Sequence, residues 1–147
     1  MTYERIFAPL TDRAIQLIEQ AFKINLPADY AAYLKQFNGG FIEPNNFAIQ
    51  AIKNQSSLSV LYGIKTNEEL NHLDLVDKMR SARRFFPKGY FPIGHDPGGN
   101  TICLSVDTSD YGKIYFWNHE DTHGEIPSVK DLILIADSFT DFLTKLY

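Results

Sequence analysis

The segment from His119 to His123 has the residue types and the spacing of a zinc-protease site. It reads His-Glu-Asp-Thr-His, and in the H-E-x-x-H motif two histidines one helical turn apart bind zinc while the glutamate acts as the base. This chemistry requires a helix. The match instead follows the strand-like residues 113–118 and is followed by Gly124 and Pro127, which leave little room for one. We therefore interpret it as a polar loop, with a zinc hydrolase that uses these three side chains as an alternative.

The glycine-rich residues 95–100, His-Asp-Pro-Gly-Gly-Asn, could expose backbone N–H groups to a phosphate. They lack the Gly-Lys-Ser/Thr ending of a phosphate-binding loop, and the chain contains no G-x-G-x-x-G dinucleotide motif. A proline followed by two glycines between apolar segments is typical of a tight turn. We interpret these residues as a turn.

The lone cysteine, Cys103, could act as a nucleophile with His95 or His119 as its base. No third group that would orient the histidine is evident, and a cysteine inside a strand is most often a small packing residue. A single cysteine also excludes an internal disulfide, which fits a reducing compartment.

The elements that position these residues form the densest strand signal in the chain. Segments rich in Val, Ile, Tyr, Phe and Trp, at 90–94, 101–107 and 113–120, alternate with turn residues, which predicts an antiparallel meander. Because side chains alternate across a strand, one face is aliphatic, with Ile102, Leu104, Val106, Ile114 and Phe116. The other face is polar with two large aromatics, and contains Thr101, Cys103, Ser105, Asp107, Tyr115, Trp117 and His119.

The polar face of the meander fits a binding surface best. Aromatic side chains ringed by polar and acidic groups have the composition of a protein-binding hot spot. The alternative is that a helix or an outer loop covers this face. The candidate partner-binding residues are Tyr115, Trp117, His119, Glu120, Asp121 and Glu125.

Two helices are predicted before the meander. Residues 12–23 form the first, capped by Thr11, and Pro27 opens the second, which ends at Asn38-Gly39-Gly40. The predicted buried side chains are Ala14, Ile15, Leu17, Ile18, Ala21 and Phe22 in the first helix and Tyr30, Tyr33, Leu34 and Phe37 in the second.

Residues 41–65 change to an extended pattern. The segments 47–52 and 58–64 are candidate strands on either side of a polar linker at 53–57, and we expect them to extend the sheet beyond the meander.

A third helical period runs through residues 66–86, with Asn67-Glu68-Glu69 as its start. Residues 129–136 form either a short strand or a buried approach to the last helix. That helix spans residues 137–146, is capped by Asp137 or Ser138, and is expected to pack on the aliphatic face.

The composition indicates one globular domain. The 147 residues are 44% hydrophobic and 22% charged, which excludes a disordered chain. No apolar run could span a bilayer, and the N-terminal residues lack the pattern of a secretory signal. We therefore expect a cytoplasmic protein without a membrane partner.

Charge is distributed unevenly along the chain. Residues 1–105 carry 11 Lys and Arg against 10 Asp and Glu, whereas residues 106–147 carry 3 against 8. The acidic C-terminal third favours a basic partner, although a solvated acidic face gives the same pattern. One basic patch is too small for a nucleic-acid site and is interpreted as a charged helix face; it consists of Lys78, Arg80, Arg83, Arg84 and Lys88.

Two stretches together resemble the SUKH superfamily, which includes fungal cell-wall-assembly regulators and bacterial toxin-immunity proteins. The first is similar to the family's LP-x-D/E-Y…L…NGG signature and consists of Leu26-Pro27-Ala28-Asp29-Tyr30, Tyr33-Leu34 and Asn38-Gly39-Gly40. The second is similar to the family's strand core and consists of Phe91-Pro92-Ile93-Gly94, Asp96, Gly98-Gly99-Asn100, Ile102-Cys103-Leu104, residues 112–117 and His119-Glu120. Asn100 and Asn118 stand where the family often has Asp.

The resemblance implies an α+β fold, in which residues 1–147 form a single domain with a central antiparallel sheet of about four to six strands flanked by N-terminal and C-terminal helices. It implies no catalytic residue, and nothing indicates a cofactor or a metal. The residues with implied structural roles are Leu26, Pro27, Tyr30, Asn38, Gly39, Gly40, Pro92, Gly98 and Gly99.

For function, the resemblance implies a protein-binding module. Single-domain bacterial members resemble immunity proteins that bind and neutralise a cognate toxin domain, often a nuclease. We therefore expect a non-enzymatic immunity protein whose partner is a toxin domain with a basic surface. A regulatory or scaffold domain with a non-toxin partner is the alternative.

Overall fold

The structure is a computed structural model and describes residues 1–65 and 71–147. Its helices are α1 (Asp12–Phe22), α2 (Ala28–Gln36), α3 (Leu75–Phe85) and α4 (Phe139–Thr144). Its strands are β1 (Thr2–Glu4), β2 (Phe41–Glu43), β3 (Asn46–Ile49), β4 (Asn54–Ser57), β5 (Val60–Leu61), β6 (Tyr90–His95), β7 (Thr101–Ser105), β8 (Ile114–Trp117) and β9 (Ile133–Ala136). None of these helices is long and apolar enough to cross a membrane.

The largest sheet among the described residues is antiparallel and has the strand order β5-β6-β7-β8-β9. Strands β6, β7 and β8 form the predicted meander, in which Ile102 pairs with Phe116 and Cys103 with Tyr115. Strand β9 lies beyond β8, which decides between the two interpretations of residues 129–136 in favour of a short strand. The α+β fold with a central antiparallel sheet is confirmed.

One face of this sheet, here called the inner face, is the floor of the hydrophobic core. Ile102, Leu104 and Ile114 are completely buried there, as the alternation of side chains predicts. The buried residues of all four helices belong to the same core cluster as these strand residues. The helices therefore pack on the side of the inner face, whereas the small cluster on the opposite face contains no residue of the four described helices.

Aromatic side chains join the last helix to the sheet. The ring of Phe47 lies 6.0 Å from the ring of Phe116 and 5.6 Å from that of Phe142, both edge to face. Such pairs contribute about 0.5–1.5 kcal/mol beyond the burial of their area. The prediction that the last helix packs on the aliphatic face is confirmed.

Helix α1 begins where the sequence predicts, because the Thr11 side chain accepts a hydrogen bond from the Ala14 N–H at 3.1 Å. It ends at Phe22, since Lys23 has a left-handed backbone with φ 55°. The prediction for its buried stripe is wrong at Leu17 and Ala21, which are exposed. Only a narrow stripe around Ile15 and Ile18 faces the core, because the helix is packed on one side.

Helix α3 begins at Leu75, where the Asp74 carboxylate accepts a hydrogen bond from the Val76 N–H at 3.2 Å. The predicted start at Asn67-Glu68-Glu69 lies outside the described residues. In α4, Ser138 is the cap, and its hydroxyl accepts from the Asp141 N–H at 3.0 Å.

The predictions for residues 47–64 are partly wrong. The polar linker is a strand, because residues 54–57 pair with β3 in a separate two-stranded sheet. Backbone pairing with a neighbouring strand here outweighs the weak strand propensity of Asn, Gln and Ser. Lys53, with φ 50°, makes the turn between them. Of the second candidate strand, only Val60 and Leu61 join the central sheet, beside β6.

The side chain of Asn38 is buried and fully engaged at the end of α2. Its Nδ2 group donates hydrogen bonds to the carbonyl oxygens of Ala8 at 2.7 Å and Ile64 at 2.9 Å, and its Oδ1 atom accepts from the Ile64 N–H at 2.7 Å. Three chain segments are therefore joined by one amide.

Glycines on both segments, Gly39 after α2 and Gly63 after β5, allow a close approach of the two backbones. A Cβ atom on Gly39, which has φ +82°, would lie 2.6 Å from the backbone nitrogen of Gly63, and one on Gly63 would lie 2.0 Å from the Asn38 carbonyl oxygen. Gly40 and Leu61 exchange two backbone hydrogen bonds of 2.9 Å. We call this contact of residues 38–40 with residues 61–64 the crossing.

The crossing predicts a large effect of Asn38→Asp. Aspartate keeps the shape of the side chain and its tolerance of the left-handed backbone, but it cannot donate to the two carbonyl oxygens. We expect the free energy of unfolding to fall by about 2 kcal/mol or more, measured by urea denaturation. The exposed Asn54→Asp variant is the control, and a loss for Asn38→Asp no larger than that of the control would contradict this role.

Candidate functional site

The face of the sheet opposite the helices, here called the outer face, carries the candidate aromatic residues. Cys103 pairs with Tyr115, and Tyr115 pairs with Leu134 of β9, so these three side chains share the face. Tyr90 joins them because it pairs with Ser105, and Trp117 because it pairs with Thr101. The predicted assignment of Tyr115 and Trp117 to one face agrees with this register.

A single carboxylate organises the outer face. Asp110, in the turn between β7 and β8, accepts hydrogen bonds from the hydroxyls of Tyr90 at 2.6 Å, Ser105 at 2.5 Å and Tyr115 at 2.5 Å. These bonds join three strands to one turn. They also fix the orientation of both tyrosine rings, which meet edge to face at 5.6 Å.

The hydrogen bonds change the proton affinities of the groups that share them. Partial burial raises the pKa of the Asp110 carboxyl, but the donors Ser105, Tyr115 and Tyr90, with the nearby Lys113, outweigh it, and the net pKa lies below the usual value. Burial and the Asp110 carboxylate together raise the pKa of Tyr90 to about 12. Near neutral pH the carboxyl is therefore charged and the hydroxyls are protonated, as the hydrogen bonds require.

The outer face is covered only in part. Phe86, just after α3, packs edge to face on Trp117 at 5.1 Å, and Leu132 is buried in the same small cluster. Tyr115 and Trp117 remain half-buried, whereas Leu134 is 43% exposed. The alternative that neighbouring segments cover this face therefore applies to one end of it, whereas the side towards β9 is accessible and the binding surface stays a prediction.

The glycine-rich turn at residues 95–100 is held by its own aspartate. Asp96 is buried, and its carboxylate accepts from the backbone and side-chain N–H groups of Asn100 at 2.8 and 3.0 Å and from the Ser56 hydroxyl at 2.7 Å. A carboxylate takes the N–H groups that a phosphate would need. The interpretation as a tight turn agrees with this geometry.

The glycine-rich turn also positions the start of the H-E-x-x-H segment. The Oδ1 atom of Asn100 accepts from the His119 N–H at 3.3 Å and lies 2.8 Å from His119 Nδ1. Asn118 caps the segment, because its side chain accepts from the Glu120 N–H at 3.0 Å.

The segment itself is a single 3-10 helix, His119–Thr122, and His123 has a left-handed backbone with φ 49°. A 3-10 helix has about three residues per turn, so side chains four apart diverge, and the two histidines do not share one face. Within residues 1–65 and 71–147, no group of three or more His, Cys, Asp or Glu side chains is placed to hold a metal ion.

Cys103 occupies a packing position. Its side chain is completely buried in the outer-face cluster, and burial raises the pKa of its thiol. Since the thiolate is the reactive form of cysteine, this environment opposes nucleophilic chemistry at Cys103.

The 3-10 helix and the residues that follow it combine exposed negative charge with exposed apolar surface. Glu120, Asp121 and Glu125 are exposed, and none of them forms an ion pair with any described residue. Ile126 is 61% exposed and Val129 49%. We call residues 119–125 the acidic segment; it is part of the connection between β8 and β9, the two strands that carry Tyr115 and Leu134.

Sequence reasoning missed several residues of this site. The sequence predicts only a turn at Asp110, because its role depends on hydroxyls from three different strands. Ile126, Val129 and Leu134 give no signal in the sequence, because an apolar residue in a loop or a strand is ordinarily assigned to the core.

Comparison with known proteins identifies relatives over nearly the whole chain. The SMI1 / KNR4 family (SUKH-1) matches residues 9–145. A curated relative is the SPbeta prophage-derived uncharacterized protein YokK of Bacillus subtilis (strain 168). It is 28% identical over an alignment of 153 positions, which covers 92% of this chain and 74% of the relative. These matches agree with the resemblance seen in the sequence.

The Asp110 cluster predicts a pH-dependent loss of stability in Asp110→Asn. Near pH 7 the variant lacks a charged acceptor for three hydroxyls, and we expect its free energy of unfolding to fall by about 1–3 kcal/mol. The folded-state pKa of Asp110 lies below the usual 3.8, so its contribution is complete above that value and is lost as the pH falls through the folded-state pKa.

The difference between Asp110→Asn and the wild type should therefore shrink below about pH 4, measured by urea denaturation at neutral and acidic pH. Asp121→Asn, at an exposed carboxylate, is the control and should change little at either pH. A difference for Asp110→Asn that stays constant across this range would contradict the assigned role.

Proposed function

Because the chain belongs to the SMI1 / KNR4 family (SUKH-1), we propose that it is a cytoplasmic, non-enzymatic immunity protein that binds a bacterial toxin domain and neutralises it by covering its basic surface. The observation that carries the proposal is the acidic segment, whose three carboxylates are exposed and form no ion pair with the described residues. A family of interaction domains and an unpaired acidic surface together support a basic protein partner.

The carboxylates provide attraction and specificity. A toxin that acts on nucleic acid carries cations where phosphates bind, and Glu120, Asp121 and Glu125 would take the place of those phosphates. Complementary charge speeds association and opposes binding of acidic partners. The negative charge of the C-terminal third of the chain, 3 Lys and Arg against 8 Asp and Glu in residues 106–147, reinforces this attraction.

The apolar side chains supply the centre of the interface. Leu134, which pairs with Tyr115, and Val129 are more than 40% exposed, and Ile126 is the most exposed of the large apolar residues described. Their burial would contribute about 25 cal/mol per Å² of apolar area. The Asp110 hydrogen bonds hold the Tyr115 ring in place, which lowers the entropy that binding costs.

The arrangement of nucleophiles and histidines opposes an enzymatic function. The H-E-x-x-H segment lacks the helical geometry that its chemistry requires, and Cys103 is buried with a raised thiol pKa. We therefore assign no catalytic role to His119, and place it instead at the edge of the partner-binding surface.

The proposal predicts that one reading frame beside the gene encodes a toxic domain with a basic surface. Expression of that frame alone should arrest growth, and co-expression of this protein should restore it. Glu120→Lys with Asp121→Lys should lower the affinity for the toxin domain at least about tenfold, which is about 1.4 kcal/mol, measured by calorimetry.

The control is Glu4→Lys with Glu43→Lys, which changes the net charge equally at two other exposed carboxylates. Equal losses in both double variants would contradict the assigned surface. Flanking frames without toxicity would reject the immunity function and favour a regulatory or scaffold domain with a non-toxin partner.

A further inference from the structure

A groove of about 860 Å³ lies between the C-terminal ends of α1 and α3, the start of β6 and the residues that follow β7. It is separate from the acidic segment, none of whose residues lines it. Its volume is in the upper part of the range of about 300–1,000 Å³ that is usual for ligand sites. The groove is therefore large enough to accept several side chains of a partner.

The floor of the groove is apolar and only partly covered. Phe22, Ile24, Phe86 and Val106 line it, and each of them packs on the core while remaining half-buried. Burial of one further apolar side chain against such a floor contributes about 1.5–3 kcal/mol. The floor thus favours a ligand that carries an apolar anchor.

The rim of the groove is basic. Lys23, Arg83 and Lys88 line it, against a single lining carboxylate, Asp107. Arg83 is engaged within the fold, since its guanidinium lies 4.7 Å from the Phe22 ring centre and donates to the Ala21 carbonyl oxygen at 3.3 Å. Lys23 and Lys88 are exposed, and neither forms an ion pair with a described residue.

We propose that this groove binds an acidic peptide segment of a protein partner, with one apolar side chain of that segment on the floor and its carboxylates at Lys23 and Lys88. The sign of the charge is opposite to that of the acidic segment, so the two surfaces recognise partners of different chemistry. The inference does not depend on the proposed immunity function.

A nucleic acid is a poorer fit to the same groove. Affinity for nucleic acid grows with the number of phosphates that Lys and Arg neutralise. Here two lining cations, Lys23 and Lys88, lack an ion-pair partner among the described residues, while Asp107 opposes a phosphate. The floor includes aliphatic side chains, such as Ile24 and Val106, rather than a continuous aromatic platform on which bases stack. An apolar anchor flanked by carboxylates matches both the floor and the rim.

The test is a selection from a display library of random dodecapeptides on the full-length protein. Enriched peptides should carry two or more Asp or Glu residues beside a large apolar residue. Their retention should fall at least about tenfold on the Lys23→Glu, Lys88→Glu double variant. The Lys53→Glu, Lys130→Glu double variant should retain them, because it has the same net charge and Lys53 has a left-handed backbone like Lys23, with φ 50° against 55°.

Thermal unfolding of both double variants verifies that they are folded before retention is compared. A labelled single-stranded DNA of about 12 nucleotides is titrated in parallel. The proposal is overturned if no enriched peptide depends on Lys23 and Lys88, if the dependent peptides lack acidic residues, or if the DNA binds the protein and loses affinity in the groove variant.

Discussion

The structure depends on the close contact between the end of α2 and strand β5. At the crossing, two glycines let the backbones approach to a distance that no Cβ atom would allow, and the buried Asn38 amide satisfies three backbone groups of segments distant in sequence. Leaving such groups without partners would cost about 1–3 kcal/mol each. The crossing therefore holds the N-terminal helices at the edge of the central sheet, where their apolar stripes reach the inner face.

Because the helices pack on one side, the two faces of the sheet are stabilised by different interactions. The inner face is buried under one hydrophobic cluster, whereas the outer face is stabilised by polar contacts, with Asp110 binding three hydroxyls and Asp96 binding the turn that holds His119 through Asn100. Those carboxylates are engaged inside the fold. Among the residues that the structure describes, the carboxylates of the acidic segment form no ion pair, which distinguishes the proposed binding surface from the structural network beside it.

Side-chain alternation and helix-capping residues predict most of the fold from the sequence. Ile102, Leu104 and Ile114 lie where strand parity predicts, and Thr11 and Ser138 cap their helices. Residues 54–57 were misassigned because their strand depends on pairing with β3 and not on their own propensity. The hydrogen-bonding roles of Asp110 and Asn38 arise from groups brought together by the fold, so local patterns give no signal for them. The alternation of side chains correctly predicts that Tyr115 and Trp117 share one face. It does not predict that Phe86, which lies far away in the sequence, packs on Trp117.

The proposed partner lies against the outer face and the acidic segment, on the side away from the helices. Hydrogen–deuterium exchange of this protein, alone and in complex with the toxin domain found by co-expression, tests it most directly. Binding at this surface predicts slower exchange in β8, the acidic segment and β9, with α1 and α2 unchanged. Protection confined to the helices, with residues 114–136 exchanging as in the free protein, would contradict it.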